Sequence, residues 1–153
     1  MIVVGYQGIG KSTLQKNDSN VIDLESSHFW VNDKRDENWY VVYVNIAEHL
    51  SKQGFTVFLS SHKVVRQELN DRGIDFNVIS PSLELKEAWL EKLKKRYDLS
   101  KRMKDYKAWQ NAEQCYEDNI KDLASEKHYY PITNMGYSLT EMVSSILKER
   151  CCR

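Results

Sequence analysis

Short runs of apolar, mostly β-branched residues alternate along this chain with longer segments in which apolar positions recur at helical spacing. The runs predict strands over Ile2 to Val4, Val21 to Leu24, Thr56 to Leu59, Phe76 to Ile79 and Tyr129 to Ile132. Helices are expected over Lys11 to Lys16, Trp39 to Lys52 and Val64 to Asp71, the last two stopped by Gly54 and Gly73. In the helix from Trp39, Val42, Ile46, Ala47 and Leu50 fall on one face. After Pro81, the stretch from Leu83 to Lys107 reads as one broken helix or two successive ones, and Trp109 to Leu123 continues as helix. Thr140 to Arg150 closes the chain with Met142, Val143, Ile146 and Leu147 on one side. Strands alternating with helices predict an α/β domain around a five-stranded, mainly parallel sheet.

A length of 153 residues bounds this to a single domain. With 22 Lys and Arg against 22 Asp and Glu, the whole-molecule field gives no reason for nonspecific attraction to nucleic acid or acidic membranes. The balance is uneven locally. Lys92, Lys94, Lys95, Arg96, Lys101, Arg102, Lys104 and Lys107 are opposed between positions 92 and 107 only by Asp98 and Asp105, which makes this stretch a candidate anion-binding surface. No apolar run nears the roughly 18 residues of a membrane helix, and the opening Met1 to Val4 is too short for a secretory signal, so a cytoplasmic protein with no membrane partner is expected. Cys115, Cys151 and Cys152 have neither a disulfide framework nor zinc-site spacing, and are expected to be reduced thiols.

Gly5-Tyr6-Gln7-Gly8-Ile9-Gly10-Lys11-Ser12-Thr13 satisfies the Gly-x4-Gly-Lys-Ser/Thr pattern of a Walker A phosphate loop, directly after a strand and at the start of a helix. A polyphosphate is best held by converging backbone N–H groups, and glycines let the main chain approach it closely. Gly5, Gly8, Ile9 and Gly10 would form that cradle. Lys11 would add a charge at the β and γ phosphates, Ser12 would offer its hydroxyl to Mg²⁺, and Thr13 would contact the α phosphate at the helix N-terminus. ATP and Mg²⁺ are the expected cofactors. The chain lacks the Asn-Lys-x-Asp segment of a small GTPase and the Leu-Ser-Gly-Gly signature of an ABC-type ATPase, which leaves the small kinases.

The order of that loop, then Val21-Ile22-Asp23-Leu24-Glu25-Ser26-Ser27-His28-Phe29, then Val78-Ile79-Ser80-Pro81 before a basic helical segment, resembles the nucleoside monophosphate kinase and shikimate kinase type of P-loop kinase. Within that group it looks most like the small adenylate-kinase-like proteins of phages and prophages. The resemblance implies a three-layer P-loop NTPase fold over residues 1–153 with a helical basic lid at 82–108. It also implies transfer of the γ-phosphoryl group of ATP to a nucleotide or nucleoside-like small molecule, by a monomer or homodimer.

By position, Asp23 and Glu25 match the family's Asp-x-Asp/Glu pair, with Asp23 serving Mg²⁺ or an acceptor hydroxyl and Glu25 supporting it; the plainer reading of Asp23 is a strand-end acid that caps a turn. Ser60 stands where many P-loop enzymes carry a Walker B aspartate. His62 and Arg66 follow at the place of acceptor contacts, or are solvent-facing helix residues. Arg96 and Arg102 are the candidate lid arginines, chosen over lysines because a guanidinium fork suits a phosphoryl group in flight. Asn134 and Tyr137 match a base-contacting loop, the alternative being a turn with a core-facing tyrosine. Phe29, Trp30 and Trp39 either sandwich an acceptor base or belong to the core. Two other functions are compatible with the same residues: a kinase acting on a polynucleotide end or a DNA base, and a non-catalytic ATP-binding regulator that acts through a partner.

Overall fold

The apolar runs become strands in the computed structural model, which describes residues 1–152. Strands β1 (Ile2–Gly5), β2 (Val21–Asp23), β3 (Trp30–Val31), β4 (Lys34–Arg35), β5 (Thr56–Ser60), β6 (Asn77–Pro81) and β7 (Tyr129–Ile132) alternate with helices α1 (Lys11–Asn17), α2 (Trp39–Lys52), α3 (Lys63–Asp71), α4 (Lys86–Ser100), α5 (Met103–Ala124) and α6 (Leu139–Cys151). Five strands form one sheet in the order β2-β5-β1-β6-β7, parallel at every pairing. The central strand β1 is paired on both edges, from Ile2↔Val57 to Gly5↔Ser60 on one side and from Val3↔Asn77 to Gly5↔Ile79 on the other. A parallel strand covered on both faces has no solvent side, and Val3 and Val4 are accordingly fully buried.

From β1 the chain leaves toward the β2 edge, whereas after β2, β5 and β6 it moves in the opposite direction across the sheet. The carboxyl end of β1 is therefore the point where connections diverge, and such a point opens a crevice between the loops on either side. Helix α1 contacts α6; α2 contacts α3, and α3 is joined to α5 by Arg66. This arrangement is compatible with a three-layer α/β fold. Among the described residues no helix is long and apolar enough to cross a membrane.

Several boundaries differ from the sequence expectation. The fourth strand of the sheet starts at Asn77 instead of Phe76 and runs on through Pro81, because the buried Asn77 side chain is satisfied by Ile2 O at 3.3 Å and Pro81 sits at the strand end opposite Ile132. The stretch from Leu83 resolves into a short 3-10 turn and two helices, α4 ending where Lys101 adopts a left-handed conformation with φ 54°. These helices are not a separate appendage: Trp89 and Leu93 of α4, and Ala112, Tyr116, Ile120 and Leu123 of α5, are buried with the sheet residues in one core. The β3–β4 hairpin is absent from the sequence expectation, its two-residue strands being too short to show a period. It turns through Asn32 and Asp33, both at positive φ, the geometry in which Asn and Asp are the tolerated side chains.

The buried face of α2 is also rotated from its expected position. Tyr43, Val44 and Ala47 are buried, while Val42 and Ile46 are 52% and 37% exposed. The Tyr43 hydroxyl sets this rotation, since it donates to Leu24 O and accepts Ser60 N–H at 2.8 Å, tying the helix to the ends of two strands. In α6 the buried stripe is Leu139, Val143 and Ile146, with Leu147 exposed. Val42→Ser is therefore expected to change the unfolding free energy by less than about 0.5 kcal/mol, and Val44→Ala to lower it by about 2 kcal/mol. Urea midpoints of the two variants decide it, and equal losses would return Val42 to the core.

Candidate functional site

A cleft of about 790 Å³ opens at the carboxyl ends of β1, β2 and β5, and the segment between β1 and α1 forms its floor. Tyr6 continues the strand ladder through its N–H to Ile79 O at 3.0 Å, after which the chain must turn sharply to enter α1. Gly8 and Gly10 make the turn at φ 86° and 103°, values that side-chain-bearing residues rarely adopt. Gly8 is also closely covered, because a Cβ there would lie 2.9 Å from Leu93 Cδ2. Among the described residues, the N–H groups of Gly8, Gly10, Lys11, Ser12 and Thr13 have no acceptor in the chain. The start of α1 thus presents a group of free donors beside the cleft, where the helix dipole is positive.

Lys11 folds back over this loop and donates to Gly5 O at 2.9 Å. Burial pulls its ammonium pKa down, while the fields of Asp23 and Glu25 act in the opposite sense. Asp23 ends β2, where its N–H is held by Gln15 Oε1 at 2.7 Å, and Glu25 follows two residues later. Burial raises the Asp23 carboxyl above the usual range against the pull of Lys11, and the charge of Glu25 adds to the rise. Glu25 behaves differently. Burial works against its ionisation, but the Lys104 ammonium at 3.1 Å, Lys11 and the Ser27 hydroxyl outweigh it and hold its pKa low. The two acids are thus pushed apart, Glu25 toward a fixed anion and Asp23 toward a group that can take a proton.

The opposite wall comes from α4 and α5, which contribute Lys92, Arg96, Lys104 and Lys107 to the cleft. Arg96 grips the buried Asp105 at 2.6 Å, and Ser100 donates to the other oxygen of that carboxylate. Arg102 is exposed at the N-cap of α5 and does not line the cleft. Arg66 lines the cleft, yet it is buried and its guanidinium is bound to Asp122 and, at 2.7 Å, to Glu126. It joins α3 to α5, with both arms of its fork occupied by carboxylates.

The rim is built by the hairpin, and it carries a residue that sequence reasoning missed. Arg35 donates to Ser26 O at 3.2 Å and Ser26 Oγ at 3.0 Å, and its guanidinium lies 4.5 Å from the Trp39 ring centroid and 5.3 Å from that of Trp30. The Lys107 ammonium sits 4.3 Å from the Trp30 centroid. Neither cation has a carboxylate partner among the described residues. The signal that places Arg35 is the Asn32-Asp33 pair, a turn sequence between two very short strands. Trp39 packs with Phe29, Tyr43 and His62 at centroid separations of 6.0, 5.2 and 5.3 Å, so Phe29 and Trp39 form an aromatic cluster behind the rim and are not cleft-lining residues.

Ser60 and His62 both line the cleft and are paired, Ser60 Oγ to His62 Nδ1 at 2.8 Å. The other ring nitrogen faces Arg35 Nη1 at 3.4 Å. Because arginine only donates, Nε2 is the acceptor and the proton resides on Nδ1. Asn134 and Tyr137 lie outside the cleft lining. Asn134 accepts Gly136 N–H at 2.7 Å and shapes its own turn, while the Tyr137 hydroxyl reaches Ile9 O at 2.8 Å from behind the loop.

Burial in the cleft wall, helped by the charges of Arg35 and Lys11, pushes the pKa of His62 down to about 4. A folded pKa below the ordinary value near 6.5 means that the unfolded chain binds the proton first, so this contribution to stability is complete above about pH 6.5 and declines as pH falls toward about 4. The His62 ring resonance is expected to titrate with a midpoint of about 4, and a midpoint near the ordinary value of about 6.5 would show that the ring does not occupy this environment. Comparisons with known proteins add nothing to this geometry: no protein-family model, no curated protein and no solved structure matches the chain.

Proposed function

We propose that the chain is an ATP-dependent phosphotransferase of the P-loop kinase type, which moves the γ-phosphoryl group to a nucleotide or nucleoside-like acceptor. The reading is carried by one observation: the free donors at the start of α1 meet the Lys11 ammonium and the Asp23–Glu25 pair in a single cleft walled by cations. Parallel backbone donors of this kind match the oxygens of a polyphosphate better than they match any neutral ligand.

Among the described residues no three His, Cys, Asp or Glu side chains converge on a cation. Ser12 and Asp23 suit magnesium, which binds through one or two protein oxygens and completes its shell with phosphate and water. When bound, magnesium supplies charge neutralisation on the phosphate oxygens. Lys11 balances charge on the donor side, and Lys92, Arg96 and Lys104 face it from α4 and α5. Phosphoryl transfer needs this positioned charge more than covalent participation by the protein. When the acceptor atom is a hydroxyl oxygen, its bond to phosphorus forms as the bond to the leaving diphosphate breaks, and an Asp23 carboxylate that reaches magnesium only through water is free to take the hydroxyl proton. Arg35 and Lys107, cations without a carboxylate partner, mark the acceptor end of the cleft.

The test is ADP production from Mg-ATP with a panel of nucleoside monophosphates, nucleosides and DNA ends. Lys11→Ala and Asp23→Asn are each expected to lower kcat by roughly 10²-fold or more, and Arg35→Ala to raise the acceptor KM while leaving the KM for ATP near its original value. Turnover that survives Lys11→Ala would end the proposal, as would ATP binding with no transfer to any acceptor in the panel.

A further inference from the structure

The carbonyl groups of the loop are as informative as its donors. Gln7 O accepts the Trp89 indole N–H at 2.9 Å, and Ile9 O accepts the Tyr137 O–H at 2.8 Å. Both donors come from outside the loop, Trp89 from α4 and Tyr137 from the segment before α6, and neither ring lines the cleft. The two rings lie 6.0 Å apart, and the Lys92 ammonium sits over both, 4.4 Å from the Trp89 centroid and 5.2 Å from that of Tyr137. Lys92 also donates to the Tyr137 hydroxyl oxygen at 3.1 Å, which leaves the phenolic proton for Ile9 O. Burial pushes the Tyr137 pKa up to about 12, so that proton stays in place.

A trans peptide couples each carbonyl to the next N–H, which points the opposite way across the same plane. Fixing Gln7 O on the outer side of the loop therefore aims the Gly8 N–H toward the cleft, and fixing Ile9 O does the same for Gly10. These are two of the free donors. They are also the peptides most able to turn over, because the residue after each carbonyl is a glycine with little steric preference for one sign of φ. A reversed peptide would present a carbonyl oxygen to a phosphate and repel it.

We infer that Trp89, Tyr137 and Lys92 form a bracket that pins the peptides before Gly8 and Gly10, so that the loop meets a polyphosphate with its donors already aimed. Trp89 and Tyr137 are positioning residues in this account, acting through the backbone. The inference rests on the proposed phosphate-binding role of the loop, and it deepens that reading by saying what holds the loop in its binding form.

The test uses Tyr137→Phe, which keeps the ring and removes only the hydroxyl, with Trp89→Phe as the second variant and Lys11→Ala as the control. The readouts are the affinities for ATP and inorganic triphosphate, the split between KM and kcat, the melting temperature, and ¹⁵N relaxation of Gly8 and Gly10 in the ligand-free protein. Tyr137→Phe is expected to weaken both ligands by roughly three- to tenfold through KM, with kcat at saturating ATP retained. It is also expected to bring microsecond-to-millisecond exchange to the Gly10 amide. Wild-type affinity together with an unchanged Gly10 signal would overturn the bracket, and so would a fall in kcat without a rise in KM. If the unaltered protein binds neither ATP nor triphosphate, the phosphate-site reading fails, while the relaxation data still decide whether the hydroxyl pins the peptide.

Discussion

A lysine ammonium withdrawn from bulk water persists only where acceptors and opposite charge replace the hydration it has lost. Lys11 meets that requirement with the carbonyl of Gly5 and the fields of Asp23 and Glu25. Those acids cannot both stay ionised at low cost without cations of their own, and Glu25 finds one in Lys104 on α5. The compensation therefore extends from α1 across the end of β2 to α5, linking elements far apart in the chain through alternating charge. The cleft keeps its shape because each of these groups needs the next.

The same accounting explains the basic stretch from 92 to 107. Three of its outward-facing members are paired locally, Lys94 and Lys101 with Asp98 and Lys95 with Glu91, pairs of the exposed kind that contribute little to stability. Its inward-facing members line the cleft, and two of them are held in place by acids, Arg96 by Asp105 and Lys104 by Glu25. A local charge excess in the sequence is thus divided by helical geometry into a solvated face and a directed one. The buried Trp89 and Leu93 fix which face is which.

Much of this was legible from local pattern, and what was not has a common cause. The β-branched runs and the glycine spacing between Gly5 and Lys11 are signals contained within a few residues, so the strands of the sheet and the loop geometry follow from them closely. The limits of α2 and β7 are those expected from sequence. The hairpin escaped because two-residue strands are too short to show a period. The partners of Arg66 lie 56 and 60 residues further on, and no local feature marks them. Tyr43 displaced the expected apolar stripe of α2 because one hydroxyl bridging two strand ends decides the helix's rotation more firmly than a count of apolar positions. Local pattern points to the ring of Tyr137, whereas its hydroxyl makes the contact with the loop.

Strand β1 precedes in the chain both strands that flank it, yet it is the middle strand of the sheet. Its hydrogen-bonding edges are completed by residues 56–60 on one side and by residues that begin at Asn77 on the other. A growing chain cannot frame the loop between β1 and α1 until β5 and β6 have left the ribosome, and β7 joins the sheet later still. Until then β1 is an apolar segment with open edges, the kind of surface on which incomplete chains associate. The cost of placing the loop at the centre of the sheet therefore falls on biosynthesis, in an interval during which the residues of β1 must be kept from the wrong neighbours.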